Sequence, residues 1–282
     1  DEQLWEKENG RWQLVMKVMV KDGCVTTREL TKAVAGALNR RMIPEKDTKT
    51  LIGKGVNLYT YEEEPRFQAI YGVARMVKDG AAVSGDNFSF LEPESGKMVM
   101  CLSDGMGSGS LACKESEMVI ELVEKFLEAG FDVETAARMM NSAMVMKGQE
   151  DLFSTVDISE LDLYDGTCRF YKIGAAATFI RRNGIVECLI STSLPVGVSY
   201  KLDMEKSEKD LYNGDFLVMV SDGVLEYLHV PNPEETMQEI IESIETNNAT
   251  ILAKRILERV LLFTGGKAAD DMTVLATAIW EK

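Results

Sequence analysis

The sequence is almost without histidine, since His229 is the only one among 282 residues. A histidine-ligated zinc or haem site needs more imidazole groups than this, so both kinds of site are strongly disfavoured. A Ser-His-Asp triad that draws its histidine from any other position is excluded. We expect His229 itself to lie in an exposed loop.

Cysteine is scarce and follows no pattern. The five cysteines are odd in number and no two of them form a C-x-x-C pair: Cys24, Cys101, Cys113, Cys168 and Cys188. This usage predicts a reduced, cytosolic chain with neither a zinc cluster nor a disulfide framework.

Basic charge is also in short supply. The chain has 31 Lys and Arg against 46 Asp and Glu, which gives a net charge of -15 and a pI near 4.7. Nucleic-acid binding needs a basic face, so no nucleic-acid partner is expected, whereas divalent cations suit such a chain. No apolar run approaches 18 residues and no secretory signal pattern is present, so we expect no membrane span in this piece. Because the chain starts without Met, we expect it to be part of something longer.

The hydrophobic pattern changes near residue 60. Residues 12–20 suit a strand or a short helix, Thr26 or Thr27 can cap a following helix, and residues 39–54 suit a loop. We interpret residues 1–60 as a regulatory or linker region and residues 61–282 as the domain that carries the chemistry.

From residue 66 onward, strands and helices come in blocks. Residues 66–77 and 82–90 are predicted to be consecutive strands of an antiparallel meander, joined at the turn signal of residues 79–80. A second turn signal at residues 94–97 leads into the next strand. Helical periodicity is found at residues 111–129, 132–147, 233–246 and 249–262. Blocks of this kind are typical of an α+β protein with antiparallel sheets packed as a sandwich.

Acidic residues recur at the ends of apolar runs, beside glycines or hydroxyl groups. The clearest case is Asp104, which follows an apolar run and is followed by Gly105, Gly107 and Gly109. The others are Asp86, Asp222 and Asp270 or Asp271. A single acid here could simply cap a helix, but four on strands that lie side by side would repel one another.

Bound cations would remove this repulsion. Oxygen ligands without histidine favour Mg²⁺ or Mn²⁺ over zinc. Two such ions, about 3.5–4 Å apart, suit phosphoryl transfer to water. The sequence therefore predicts a two-ion phosphoryl-transfer site.

Taken in order, these motifs resemble those of the metal-dependent serine/threonine protein phosphatases, the PPM or type 2C family. Within that family the fit is with the bacterial stage II sporulation protein E branch. The matching segments are Ser-Gly-Asp at 84–86, Ser-Asp-Gly-Met-Gly at 103–107, Ser-Asp-Gly at 221–223 and Asp-Asp-Met-Thr-Val at 270–274. Residues 154–157, 172–176 and 194–198 support the match, which covers roughly residues 67–280.

The resemblance implies an αββα sandwich, in which helices flank two antiparallel sheets and the metals lie in a cleft at one end. By motif, Asp86 and Asp104 flank two Mn²⁺ or Mg²⁺ ions and the Gly105 carbonyl joins them. Asp222 and one of Asp270 and Asp271 ligate the second ion. Alignment of the last motif favours Asp270 as the ligand and Asp271 as its neighbour.

The implied activity is hydrolysis of a phosphoserine or phosphothreonine by a water molecule that the two ions activate. Asp86, Asp104 and Asp222 are the implied catalytic residues. The implied substrate is a phosphorylated regulatory protein of the anti-anti-sigma-factor type. Relatives in this branch are often membrane-anchored, so the implied location is the cytoplasm, free or as the cytoplasmic part of an anchored protein, and a homodimer is left open.

The match to the family is incomplete in two places. The eukaryotic branch has a phosphate-binding arginine in its first strand, and here neither Arg66 nor Arg75 is clearly equivalent. That branch also has a histidine near its second metal-binding aspartate, whereas His229 lies after Asp222. Protonation of the leaving group by a side chain is therefore not assigned.

Two other functions stay open from the sequence. Residues 104–107 also resemble the Asp-x-Gly-x-Gly box of GHKL-type ATPases, although a hairpin stands where that fold has an Asn-bearing helix. A catalytically silent binding module of the phosphatase fold is the other alternative. We expect Asp157 to pair or cap within a hairpin, Cys101 to lie in the core, and Glu115 and Glu117 to lie on a solvated helix face.

Overall fold

The computed structural model describes residues 2–6, 11–21, 23–45, 48–92, 96–107, 109–146, 153–263 and 265–282. The chain divides into two compact units, Asp1–Arg66 and Phe67–Lys282. The predicted boundary at residue 60 lies six residues before the division in the structure. Among the described residues, no helix combines the length and hydrophobicity needed to cross a bilayer.

In the first unit, the described residues form a four-stranded sheet, a two-stranded sheet and one helix. Its elements are β1 (Glu2–Glu6), β2 (Trp12–Val20), β3 (Val25–Thr26), α1 (Thr27–Leu38), β4 (Met42–Pro44), β5 (Leu51–Ile52) and β6 (Gly55–Glu63). The four-stranded sheet has the antiparallel order β1-β2-β6-β4. Thr26 caps α1 through a capping box with Glu29, which confirms the predicted helix start. The prediction of a loop over residues 39–54 was wrong in part, because β4 and β5 lie within it.

The second unit contains the remaining elements. They are β7 (Phe67–Met76), β8 (Asp86–Leu91), β9 (Lys97–Gly105), α2 (Ser110–Glu128), α3 (Val133–Met146), β10 (Ser154–Asp162), β11 (Thr167–Ile173), β12 (Thr178–Arg182), β13 (Ile185–Leu189), β14 (Glu205–Asp210), β15 (Phe216–Val220), α4 (Asp222–Glu226), α5 (Pro233–Glu242), α6 (Ala249–Phe263) and β16 (Met272–Glu281). Of the predicted segments, residues 94 and 95 and residue 147 lie outside the described residues.

Two five-stranded antiparallel sheets form the centre of this unit. One has the order β14-β11-β10-β9-β8 and the other has the order β13-β12-β15-β16-β7. The sheets pack face to face, with Met100 and Phe170 of the first against Leu217 and Leu275 of the second. Helices α2 and α3 cover the outer face of the first sheet, and α4, α5 and α6 cover that of the second. This arrangement confirms the αββα sandwich.

Strand β9 illustrates why the sequences of the central strands are nearly continuous apolar runs. Met98, Met100 and Leu102 face the opposite sheet, whereas Val99 and Cys101 face α2. Successive side chains of a strand point to opposite faces, and here both faces are buried. Cys101 lies in the core as expected.

The prediction of a meander from residues 66–77 to 82–90 was wrong. Strand β7 pairs with β16 in one sheet, whereas β8 pairs with β9 in the other. The connection between β7 and β8 therefore crosses from sheet to sheet instead of forming a hairpin. By contrast, the tight turn between β12 and β13 has positive φ at Asn183 and Gly184, as a two-residue hairpin requires.

Candidate active site

The candidate site lies where β8 begins and β9 ends. Antiparallel pairing places Asp86 directly opposite Asp104. Like charges directly opposite each other on neighbouring strands are destabilising, so this pair is not there for packing. A cleft of about 280 Å³ opens beside it. Its lining includes Asp104, Gly105, Asp222 and Asp270.

Asp86 is the most deeply buried acid of the site. Its side chain is 0% exposed, and neither carboxylate oxygen has a hydrogen-bond partner among the described residues. Burial raises the pKa of Asp86 to about 6, and the carboxylates of Asp222 and Asp271 add to the rise. The hydroxyls of Thr273 and Ser221 oppose it, although neither meets the distance and angle of a hydrogen bond. A buried carboxylate without a partner needs a cation or a proton.

Asp104 shares this environment. Burial raises its pKa well above the ordinary range, and the neighbouring carboxylates of Asp222, Asp86 and Asp270 contribute to the rise. Asp222 comes from a different sheet, because it is the first residue of α4, directly after β15. The sandwich thus brings acids from both sheets to one electrostatic cluster, as the strand-end pattern predicted.

The two adjacent acids at the start of β16 have different surroundings. Asp271 is buried, and its Oδ1 and Oδ2 accept hydrogen bonds from the backbone N–H groups of Lys78 and Gly85 at 2.9 and 2.7 Å. Asp270 lines the cleft with its side chain 32% exposed, and its Oδ1 lies 3.7 Å from Lys78 Nζ. Asp271 therefore holds the loop between β7 and β8, whereas Asp270 faces the open space.

Two glycines allow the backbone to close around the cleft. A Cβ on Gly105 would lie 2.1 Å from the Ala112 carbonyl oxygen, so α2 can approach the end of β9 only at a glycine. A Cβ on Gly223 would lie 2.2 Å from the Asp271 carbonyl oxygen. The glycines of the Ser-Asp-Gly motifs thus position the acids that precede them.

The residues fit a divalent cation by their chemistry. Carboxylates and a backbone carbonyl are the hard oxygen donors that Mg²⁺ and Mn²⁺ prefer, and Asp86 has two unsatisfied buried oxygens. Among the described residues, however, no three acids converge as a ready-made metal cage.

One wall of the cleft comes from segments that the sequence marked only as supporting motifs. Ser154 donates a hydrogen bond from Oγ to the Asp104 carbonyl oxygen at 2.7 Å. Val196 exchanges backbone hydrogen bonds with Ser154, which holds Pro195 at the cleft. The buried Asn141 of α3 accepts from Gly197 N–H at 3.0 Å and donates to the Ser199 carbonyl.

Sequence reasoning missed Lys78 and Phe153, which also line the cleft. Neither stands in a motif, so no local signal could have found them. Arg75 does not line the cleft, because its guanidinium donates to the Asp86 carbonyl oxygen at 2.7 Å and lies over the Phe88 ring. Arg66 is likewise absent from the described lining.

Asp157 lies outside the cleft lining, in a buried network. Lys172 donates to Asp157 Oδ2 at 2.5 Å, to Thr178 Oγ1 and to the Ala176 carbonyl. The two charged residues are opposite each other on β10 and β11, as expected for hairpin pairing. This network joins the two sheets, because Thr178 belongs to β12.

The expectation for the α2 glutamates was half wrong. Glu117 is exposed, but Glu115 is buried, with 2% of its surface exposed. The two positions lie on different faces of the helix, and Glu115 shares its face with the buried Ala112 and Val119. His229 is exposed, as predicted.

The chain is similar to several known proteins. A family model described as stage II sporulation protein E matches residues 94–279. Stage II sporulation protein E of Bacillus subtilis is 29% identical over 278 residues, which are 98% of this chain and 34% of that protein. The solved PP2C phosphatase domain with a regulatory-domain fragment of that protein has a TM-score of 0.81 at 27% identity. That match covers 100% of this chain and 82% of the solved chain.

A more distant structure shares the fold alone. The structure of RsbX in complex with magnesium has a TM-score of 0.58 at 20% identity, over 77% of this chain and 97% of that chain. RsbX of Bacillus subtilis is described as a phosphoserine phosphatase. The present chain spans about a third of the length of the stage II sporulation proteins that it matches.

The fold, the order of the motifs and the matches agree, and they overturn the GHKL-type ATPase alternative. The αββα sandwich brings acids of both sheets to one cleft. The chain belongs to the stage II sporulation protein E family, a branch of the metal-dependent PP2C-type serine/threonine phosphatases.

Proposed function

We propose that this chain hydrolyses a phosphoserine or phosphothreonine on a regulatory protein of the anti-anti-sigma-factor type. The single observation that carries the proposal is the buried Asp86 carboxylate, which lacks a hydrogen-bond partner among the described residues and lies opposite Asp104. Such an arrangement is stable only when positive charge is supplied to it. The substrate class follows from the family resemblance.

The proposed ligands of two Mn²⁺ or Mg²⁺ ions are Asp86, Asp104, the Gly105 carbonyl, Asp222 and Asp270. When bound, such ions supply positive charge for the phosphate oxygens and lower the pKa of water for attack at phosphorus. Asp271 is proposed as the residue that orders the β7–β8 loop, because backbone N–H groups occupy both its oxygens. The protein's own contribution is to hold the carboxylates from two sheets at one cleft.

Lys78 is proposed to orient the phosphate. It is the only basic residue among the described residues that line the cleft, and its Nζ lies near Asp270. An ammonium group there can contact a phosphate oxygen as a point charge. We expect Lys78→Met to raise KM for phosphorylated substrates more than it lowers kcat.

The test is phosphate release from an aryl phosphate and from a phosphorylated anti-anti-sigma factor, with Mn²⁺, with Mg²⁺ and with excess chelator. We expect activity only with added metal. Asp104→Asn and Asp222→Asn should each lower kcat by about 100-fold or more, because each removes charge from a proposed metal ligand. Asp210→Asn is the matched control, since Asp210 is exposed on the edge strand β14.

Three results would contradict the proposal. Full activity in chelator would remove the metals from the reaction, and normal rates for Asp104→Asn would remove that residue from the site. No turnover with either substrate, despite metal binding, would favour the silent binding module. Nucleotide binding, measured alongside, checks the ATPase alternative independently of the family match.

The proposal includes a cytoplasmic location and self-association through the Asp1–Arg66 unit. All five cysteines are unpaired, which suits a reducing compartment. Sedimentation of the chain with and without residues 1–66 measures the self-association. A monomer at all concentrations would contradict that part alone.

A further inference from the structure

A larger cavity of about 700 Å³ lies at the opposite end of the β8–β9 hairpin from the candidate active site. Leu91 pairs with Val99 there, five residues along the strands from the Asp86–Asp104 pair. At about 3.4 Å per residue, the two sites are roughly 17 Å apart. The end of α2 and the turn into α3 form the other wall of this groove. Its volume is in the range that is typical of ligand-binding pockets.

The floor of the groove is apolar. Val99 and Leu127 are buried beneath it, and Leu91 is half-buried at its edge. Phe131 is 44% exposed, and its ring meets the Phe126 ring edge-on with centroids 6.2 Å apart. A large apolar ring held in place by a second ring offers contact area at little cost in conformational entropy.

The rim of the groove is acidic. Glu92, Glu128, Asp132 and Glu160 line it, against Lys97 as the only basic residue of the described lining. Lys97 is already engaged, because its Nζ lies 2.7 Å from Glu160 Oε1. Glu160 also lies 3.6 Å from Arg169 Nη1, so the excess negative charge of the rim comes from Glu92, Glu128 and Asp132.

Two groups at or beside the groove have shifted pKa values. The backbone N–H and the hydroxyl of Thr135 donate hydrogen bonds to Asp132 and lower its pKa. Burial raises the pKa of Tyr171 to about 12, and the charges of Glu160 and Asp132 contribute to the rise. The groove therefore favours cationic ligands and repels phosphate-rich ones such as nucleic acid or anionic lipid.

We propose that this groove binds a short segment of a partner protein in which basic side chains flank an apolar one. The apolar side chain would pack on Phe131 and Leu91, and the basic groups would meet Glu128 and Glu92. Charge complementarity selects the occupant, because an apolar ligand alone gains nothing from the acidic rim. The proposed site is separate from the phosphatase cleft, so a partner can be held while that cleft stays open.

The test uses the full chain and a fluorescein-labelled octapeptide of alternating Arg and Trp, with binding followed by fluorescence anisotropy. The same peptide with Gln in place of Arg is the neutral probe. We expect the basic peptide to bind on the order of tenfold more tightly than the neutral one, and the difference to shrink as salt rises from 50 to 500 mM.

Glu128→Lys should weaken binding of the basic peptide by about tenfold, because it reverses one rim charge. Glu121→Lys is the matched control, since it makes the same charge change on an exposed face of the same helix. Phe131→Ser should weaken the binding of both the basic and the neutral peptide. Melting temperatures and phosphate release from an aryl phosphate are measured for each variant, and both should stay near the wild-type values.

Several outcomes would overturn the proposal. One is an equal loss of affinity for the basic peptide in Glu128→Lys and Glu121→Lys, which would mean that overall charge alone attracts the peptide. Another is equal affinity for the neutral probe, which would indicate apolar adhesion only. A third is concentration-dependent dimerisation that Glu128→Lys abolishes, which would make a second copy of this chain the occupant. Absence of peptide binding at millimolar concentration would also refute it.

Discussion

Exchange of Asp271 for Asn, compared with the same exchange at Asp270, tests whether Asp271 is structural and Asp270 is the metal ligand, as proposed above. Asp271 is 4% exposed and accepts two backbone hydrogen bonds at 2.9 and 2.7 Å. In Asp271→Asn one of the two N–H groups must face an amide NH₂ instead of an oxygen. A hydrogen bond to a charged acceptor is worth about 1.5–3 kcal/mol, and an unsatisfied buried donor costs a similar amount. We expect a loss of about 3 kcal/mol in the free energy of unfolding.

Asp270→Asn should behave differently. Its carboxylate is partly exposed and makes a 3.7 Å contact with Lys78, so its contribution to stability without metal is below about 1 kcal/mol. With metal bound, a tenfold weaker affinity lowers the stabilisation by about 1.4 kcal/mol when metal is in excess. Asp270→Asn should therefore lose metal-induced stability and keep intrinsic stability.

The assay is urea denaturation of both variants and the wild type, first in chelator and then in excess Mn²⁺, with metal affinity measured by calorimetry. If Asp270→Asn were the less stable variant in chelator and kept its full gain from Mn²⁺, the assignment of the two residues would be reversed. If both variants lost stability in chelator equally, the distinction drawn from their contacts would be refuted.

Three further outcomes are expected. Lys172→Met leaves the buried Asp157 without its cation, so the free energy of unfolding, measured by urea denaturation, should fall by about 3–5 kcal/mol. Wild-type stability of this variant would contradict a structural role for the pair. Gly105→Ala places a Cβ 2.1 Å from the Ala112 carbonyl oxygen, so α2 must shift. The rise in melting temperature on adding Mn²⁺ should therefore be smaller in this variant than in the wild type. An unchanged rise would refute this role of Gly105. In chelator, the wild type should gain stability relative to Asp86→Asn as pH falls through about 6, because the raised pKa of Asp86 makes the folded state take up a proton before the unfolded state does. A pH-independent difference would show that Asp86 is not desolvated.

Local features of this protein were readable from neighbouring residues. The Thr26 capping box and the turn at Asn183 and Gly184 depend on a few adjacent side chains and φ angles, so their signals are short and specific. Strand β9 could be recognised because both of its faces are buried, which makes nearly every residue apolar. The acids at strand ends stood out because each one interrupts such a run.

Features that depend on distant residues were not readable in the same way. Residues 66–77 and 82–90 look like a hairpin, yet β7 pairs with β16, almost two hundred residues further along the chain. Glu115 looks like a surface residue of an amphipathic helix, but it is buried where α2 packs on the first sheet. In both cases the deciding contact comes from a segment that the local pattern does not contain.

The sequence alone therefore predicted the class of site, because several acids that interrupt apolar runs at strand ends favour bound cations, and acids without histidine partners favour Mg²⁺ or Mn²⁺. The tertiary structure decided where each acid lies. It placed Asp86 opposite Asp104 by strand register, and brought Asp222 in from the other sheet. It also separated Asp270 from Asp271, since one faces the cleft while backbone N–H groups occupy both oxygens of the other. Register and packing are set by long-range contacts, and neighbouring residues of like chemistry carry no signal that distinguishes them.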